Sequence, residues 1–171
     1  MENELEYKIG DLLLQQNKKL MVAESCTGGL IGHRITNVPG SSEYYMGSIT
    51  AYAYEAKESL LGVNHDTLLQ HGAVCRETVI EMAVGVRNSL SGHIPMQDLI
   101  GLSVSGIAGP GGGMPGKPVG LVWFGLSTPE GNYAWKHIWD GDRIQNKEIS
   151  ADQGLKIIYD YLNGTLPPEN Y

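Results

Sequence analysis

The stretch of this chain best suited to chemistry is Val22-Ala23-Glu24-Ser25-Cys26-Thr27-Gly28-Gly29. An apolar run, Leu20 to Ala23, ends in a polar cluster and two glycines, and an amphipathic segment carrying Leu30, Ile31, Ile35 and Val38 follows. That is the pattern of a buried strand stopping abruptly and handing over to a helix. A serine there lies beside the unpaired N–H groups of a first helical turn, where negative charge is stabilised. Ser25 is placed to be a nucleophile or an anion-binding hydroxyl; equally, Ser25 or Thr27 could simply cap the helix. A second apolar run, Leu99 to Val104, ends the same way in Ser105-Gly106-Ile107-Ala108-Gly109-Pro110. No Gly-x-Ser-x-Gly surrounds either serine, so a nucleophilic Ser25 would take a lysine as its base. Desolvation disfavours an ammonium, and a lysine made neutral in this way activates a neighbouring hydroxyl. Lys57 is a candidate, opening a helix directly after a strand that could lie beside the first, although a helical lysine is ordinarily a solvated surface residue.

Two further patterns fail on context. Gly111-x-Gly113-x-x-Gly116 satisfies the dinucleotide fingerprint letter by letter, but Lys117-Pro118 leads into a strand rather than a helix. Read as the start of a phosphate-binding P-loop, the same segment places Pro118 where Ser or Thr must hold magnesium. What survives is a glycine loop past a strand end, either structural or lining a ligand. The five histidines show no metal-ligand spacing, and no metal site is expected.

These groups must be positioned by the surrounding elements. Leu5, Ile9, Leu12 and Leu13 recur at helical spacing through about Gln16, and the helix after Gly29 should stop before Pro39-Gly40. Tyr44 to Ala53 alternates and is rich in Tyr, Ile and Thr, with Ser48 to Tyr52 read as strand. Tyr54 to Leu61 is helical with Gly62 at its end, Asp66 to Gln70 is a shorter helix, and Arg76 to Leu90 is amphipathic through Val79, Met82, Ala83 and Val86. Val119 to Ser127 and Tyr133 to Trp139 read as an antiparallel pair. Asp142 caps a last helix with Ile149, Leu155, Ile158 and Leu162 inward, and Leu166-Pro167-Pro168 should hang loosely. Helices interleaved with strands, then a hairpin, predict an α/β fold: a single three-layer domain whose mixed sheet is covered on both faces.

Composition narrows the function classes. One domain with its own core fits 171 residues, and 23 glycines are about twice the average usage. A net charge of −7 without a block of Lys or Arg argues against nucleic acid or an anionic membrane as partner. Cys26 and Cys75 sit in no CxxC spacing and fit a reduced, cytoplasmic compartment. The acidic Met-Glu-Asn-Glu-Leu-Glu start is neither a signal peptide nor a membrane span.

Ala23 to Gly29, Tyr52 with Glu55-Ala56-Lys57, His71-Gly72-Ala73-Val74, Ser105 to Pro110, Lys117-Pro118-Val119-Gly120 and Gly141-Asp142-Arg143 together resemble the CinA C-terminal domain family. The likeness runs from about residue 5 to 163, with 164–171 expected as a flexible tail. It implies a three-layer α/β/α sandwich with a mixed, mostly parallel sheet, usually a homo-oligomer, in the stand-alone form without the molybdopterin-binding-like domain that precedes it in larger homologues. Active members are nicotinamide mononucleotide deamidases, which need no cofactor. The resemblance places the nucleophile on Ser25 and the lysine base on Lys57, with Tyr52, Ser105 and Arg143 completing the site. Thr27, Gly28, Gly29, Gly109 and Gly111 are expected to line it. The chemistry implied is attack of Ser25 on the carboxamide, with Lys57 taking the proton directly or through Ser105. Backbone N–H groups around Cys26 to Gly28 would hold the oxyanion, and Arg143 would grip the phosphate or orient catalytic groups. The competing class is a catalytically silent nucleotide-binding or interaction module, since some relatives are known only as competence- or damage-inducible. Two stretches depart from the family pattern: Ala53-Tyr54 stands where Ser-Asn is common, and Cys75 where Ser is.

Overall fold

A computed structural model describes residues 4–170. The chain runs α1 (Glu4–Gln15), β1 (Lys19–Glu24), α2 (Leu30–Thr36), a single 3-10 turn, β2 (Tyr45–Thr50), α3 (Tyr54–Leu61), α4 (His65–His71), α5 (Arg76–Asn88), β3 (Leu99–Gly106), β4 (Leu121–Ser127), β5 (Asn132–Ile138) and α6 (Arg143–Leu162). The five strands form one sheet in the order β2-β1-β3-β4-β5. β2 and β3 flank β1 in parallel, and the β4–β5 hairpin joins antiparallel at β3. The chain therefore leaves β1 toward one neighbour and later returns on its other side. Such a reversal opens a crevice at the carboxyl ends of the parallel strands, where α/β proteins bind ligands.

Period-two alternation decides which residue serves which face. Leu20 and Val22 of β1 join Ile100, Leu102 and Val104 of β3 in the core under α1, α2 and α6. Met21 and Ala23 point the other way, into the core with Leu61, Leu68, Met82 and Val86 from α3, α4 and α5. Glycines let α5 lie close against the sheet: a Cβ on Gly101 would stand 2.3 Å from the Ala83 carbonyl oxygen, and one on Gly125 the same distance from that of Val79. The same alternation, carried past the end of β1, sends Glu24 toward α2 and Ser25 toward α3.

Several expectations are corrected. β2 begins at Tyr45 and ends at Thr50, so Tyr52 lies outside the sheet: the parallel ladder stops at Glu24 opposite Thr50, and the chain turns into α3. Strand β3 continues through Ser105 to Gly106, because Gly106 still has Val122 as a partner. Ile149 faces outward, 38% exposed, while Asn146 and Ser150 take the inward positions of α6. Their side chains are satisfied there: Asn146 Nδ2 donates to the Ala108 carbonyl, and Ser150 Oγ accepts from Trp139 Nε1.

Over its described residues, 164–170, the tail is not loose, and Tyr171 lies outside the described residues. Trp135 Nε1 donates to the carbonyls of Pro167 and Pro168, and Ala134 N donates to the Glu169 carboxylate. Asn170 both accepts from Lys136 N and donates to its carbonyl. These contacts cover the free edge of β5, the kind of edge that otherwise templates association. Ending the chain after Gly164 should lower the melting temperature by several degrees, about 2–4 °C per kcal/mol for a domain of this size, and promote concentration-dependent association in light scattering. An unchanged melting curve and a monodisperse sample would remove this role.

Candidate active site

At the carboxyl end of β1 the Ser25 N–H still donates to the Val104 carbonyl, tying the turn that follows to β3. Ser25 is 7% exposed. From the α3 side Lys57, fully buried, brings Nζ to 3.0 Å from Ser25 Oγ across a separation of 32 residues. The same nitrogen is 2.8 Å from the Ala51 carbonyl oxygen and 3.3 Å from that of Tyr52. No carboxylate pairs with Lys57 among the described residues. Burial without a counter-charge lowers its pKa to about 8. An uncharged amine has two N–H donors and one lone pair, and the surroundings match that count: two carbonyls to receive the donors, one hydroxyl to give its proton. The adjacent Cys26 is no competing nucleophile, since burial pushes its thiol up to about 12.

Glu24 is the residue that sequence reasoning overlooked. It is wholly buried. Its Oε2 accepts from Thr27 Oγ1 at 2.6 Å, Gly29 N at 3.0 Å and Ile31 N at 3.1 Å, and its Oε1 from Gly32 N at 2.9 Å. An internal carboxylate thus takes up the positive end of α2, and neither Ser25 nor Thr27 caps that helix. Thr27, expected among the substrate contacts, is buried with its hydroxyl spent on Glu24, and Gly29 uses its N–H the same way. The available signal was the parity of β1: an acid ending a strand, one residue before the serine, on the helix side.

The oxyanion donors are also narrowed. Gly28 N donates to the Ser25 carbonyl at 3.1 Å. The N–H groups of Cys26 and Thr27 have no carbonyl or carboxylate acceptor among the described residues and turn toward the Cys26 sulfur, next along the chain from Ser25.

Ser105 lies on the same face as Ser25 but donates to the Ala73 carbonyl at 2.7 Å, not to Ser25 or Lys57. Lys57 therefore meets Ser25 directly, and the described hydrogen bonds contain no relay through Ser105. Tyr52 is exposed, and its hydroxyl accepts from Arg143 Nη2 at 2.8 Å. Arg143 Nη1 donates to the Gly109 carbonyl at 2.7 Å. A chain of contacts thus joins the start of α6 to the glycine loop, Tyr52, Lys57 and Ser25. The start of α6 is fixed by a capping box, with Asp142 and Gln145 satisfying each other's backbone N–H. Beside Arg143 a cavity of about 310 Å³ is bounded by Ala108, Gly109, Pro110, Val119 and Ile144. Gly111 is exposed just beyond it, on a loop closed by reciprocal hydrogen bonds between Met114 and Lys117. A larger cavity, about 660 Å³, lies between α1 and α6 and is distant from this chemistry, lined by Arg34, Trp139 and Asp152 among others.

The two departures from the family pattern have structural roles. Tyr54 Oη accepts from Ala73 N, and the Cys75 sulfur caps α5 by accepting from Thr78 N. Among the described residues no three His, Cys, Asp or Glu side chains gather where a metal could be held. No helix there is long and apolar enough to cross a membrane.

The profile of the CinA C-terminal domain family matches residues 2–162. A CinA-like protein of Salinibacter ruber is 45% identical over 152 residues, which is 89% of this chain and 35% of that protein. The chain thus spans about a third of the length of such curated relatives. Among solved structures, a CinA superfamily protein from Klebsiella pneumoniae superposes with a TM-score of 0.87 at 27% identity, covering 96% of this chain and 99% of the other. A competence or damage-inducible protein from Enterobacter asburiae gives 0.87 at 30% identity, covering 95% and 98%.

Proposed function

Because the chain belongs to the CinA C-terminal domain family, a family that includes amidohydrolases, we propose that it hydrolyses the carboxamide of nicotinamide mononucleotide, releasing ammonia and nicotinate mononucleotide. The observation that carries this reading is the 3.0 Å contact between Ser25 Oγ and a buried lysine that has no acid to keep it charged.

Lys57, uncharged, takes the Ser25 proton as Oγ attacks the carboxamide carbon. The C–O bond forms as the carbonyl π pair moves onto oxygen, and the N–H groups of Cys26 and Thr27 receive that oxyanion. Each such donor is worth about 3–4 kcal/mol in related chemistry. As the tetrahedral intermediate collapses, the Lys57 ammonium returns its proton to the departing nitrogen, so that ammonia leaves. Water then attacks the ester, again through Lys57, and frees Ser25 and the carboxylate. The substrate assists: its pyridinium ring withdraws electrons from the carboxamide, and its positive charge disfavours the ammonium form of Lys57. Tyr52 and Arg143, braced against each other, form the rim over which the nucleotide enters.

Ammonia release from nicotinamide mononucleotide by the wild type and by Ser25→Ala tests the reading. Wild-type turnover that Ser25→Ala abolishes is expected. Binding without ammonia from the wild type would instead point to a silent nucleotide-binding module. Since the base is the deprotonated lysine, kcat/KM should rise with pH to a plateau above about pH 8 and fall below it. A profile flat down to about pH 5 would exclude Lys57 as the base.

A further inference from the structure

We infer that Lys147 is a second cationic ligand for the substrate's phosphate, acting with Arg143 across the mouth of the Ser25 turn. The inference rests on the nucleotide amidase reading in one respect only: it takes the substrate to be a phosphomonoester.

The turn after β1 ends at a helix N-terminus, which would ordinarily receive a phosphate on its free amides. Here Glu24 already occupies the N–H groups of Gly29, Ile31 and Gly32, so the helix start itself offers a phosphate little, and side chains have to contribute. α6 supplies them. Arg143 and Lys147 stand one turn apart on this helix, a spacing that places their Cβ atoms about 5–6 Å from each other on one face. Lys147 is half-buried, and its Nζ lies 3.9 Å from where a Cβ on Gly28 would be. Gly28 itself adopts a positive φ of 65°, so the position suits a residue without a side chain, and the space between the turn and the ammonium stays open.

Neither cation is neutralised. Arg143 donates only to neutral oxygens, of Gly109 and Tyr52. Lys147 has neither a hydrogen bond nor an ion pair among the described residues. The acid next to Arg143, Asp142, is engaged as the cap of α6 by accepting from Gln145 N. Above about pH 8, where Lys57 is mostly uncharged, the positive charge of the site is concentrated on this one face of α6. It is matched to a doubly charged phosphate rather than to the cationic ring, and the ring is thereby directed toward Ser25.

Two measurements test this. In the Ser25→Ala chain, calorimetric affinity for nicotinamide mononucleotide should fall about tenfold on adding Lys147→Gln, the loss of one charge-assisted contact, and Lys147→Arg should restore most of it. In the active chain, the ratio of kcat/KM for the mononucleotide to that for the phosphate-free riboside should drop by a similar factor in Lys147→Gln, and inorganic phosphate should compete less well. Equal affinities with and without Lys147, or parallel losses for nucleotide and riboside, would overturn the assignment. Should the wild type release no ammonia while Lys147→Gln still weakens nucleotide binding, the amidase reading fails and the phosphate ligand stands. No nucleotide binding by Ser25→Ala would remove both.

Discussion

Lys57→Met should lower ammonia release by about a hundredfold to ten-thousandfold, the usual worth of a positioned general base, in a protein that still folds. The methionine fills a similar volume in the core beside Ala51 and Ser25. It removes the hydrogen bonds to the Ala51 and Tyr52 carbonyls, a net loss of about 1 kcal/mol each, but it also removes an amine whose charged form the site disfavours. Lys57→Arg sharpens the test. A guanidinium keeps the positive charge and cannot give up its proton at any working pH, so a base is lost while a cation is retained. Comparable losses in both variants are expected; activity surviving in Lys57→Arg would mean that charge, not proton transfer, is what position 57 supplies. A stability measurement checks the same protonation state independently. Between about pH 8 and 10.5 the unfolded chain holds a proton on this lysine that the folded chain has released. Stability therefore rises with pH across that window, and Lys57→Met should lose that part of the rise in urea titrations at the two ends.

Glu24→Ala should be among the most damaging single substitutions in the chain. Four donors, the Thr27 hydroxyl and the N–H groups of Gly29, Ile31 and Gly32, would lose their acceptor, three of them in fully buried bonds. Leaving such groups unsatisfied costs about 1–3 kcal/mol apiece before relaxation, so an overall loss of at least about 3 kcal/mol is expected. For a domain of this length that lowers the melting temperature by roughly 6–12 °C. Glu24→Gln separates charge from shape. It keeps one oxygen but turns an amide NH₂ toward backbone N–H groups that need an acceptor, so part of the stability and most of the order of the Ser25 turn should go. Because the N–H groups of Cys26 and Thr27 belong to that turn, kcat should fall more than KM rises. A Glu24→Gln chain with wild-type kcat and melting temperature would show that the turn is held by other means.

Much of the architecture was readable from local pattern, since strands and helices announce themselves by the period of their apolar residues. The helix from Tyr54 to Leu61 and the Asp142 cap stand where spacing and capping chemistry put them. The strand around Tyr45 to Thr50 was harder, because its ends depend on the partner strand and not on its own residues: the ladder stops where β1 stops. Ile149 was misjudged for a related reason. An apolar residue on α6 was assumed to face the core, whereas Asn146 and Ser150 are buried because the distant loop at Ala108 and the Trp139 indole after β5 offer them partners outside the helix.

For the site, order of residues was enough to mark Ser25 as special and to nominate a lysine, and the likeness to a known family selected Lys57. What the amino-acid order by itself determined was local: a strand ending in Glu24-Ser25, a glycine-rich turn and a helix start, all set by interactions a few residues apart. Only the tertiary structure decided which hydroxyl meets the amine, that Ser105 turns instead to Ala73, and that Glu24 consumes the helix end a phosphate would otherwise have used. It also decided that Lys147 comes to lie over Gly28. The physical reason is that desolvation and hydrogen-bond partnership depend on distances across the sheet, and those distances are fixed by packing α5, with α3 against it, and α6 on opposite faces of the sheet, not by separation along the chain.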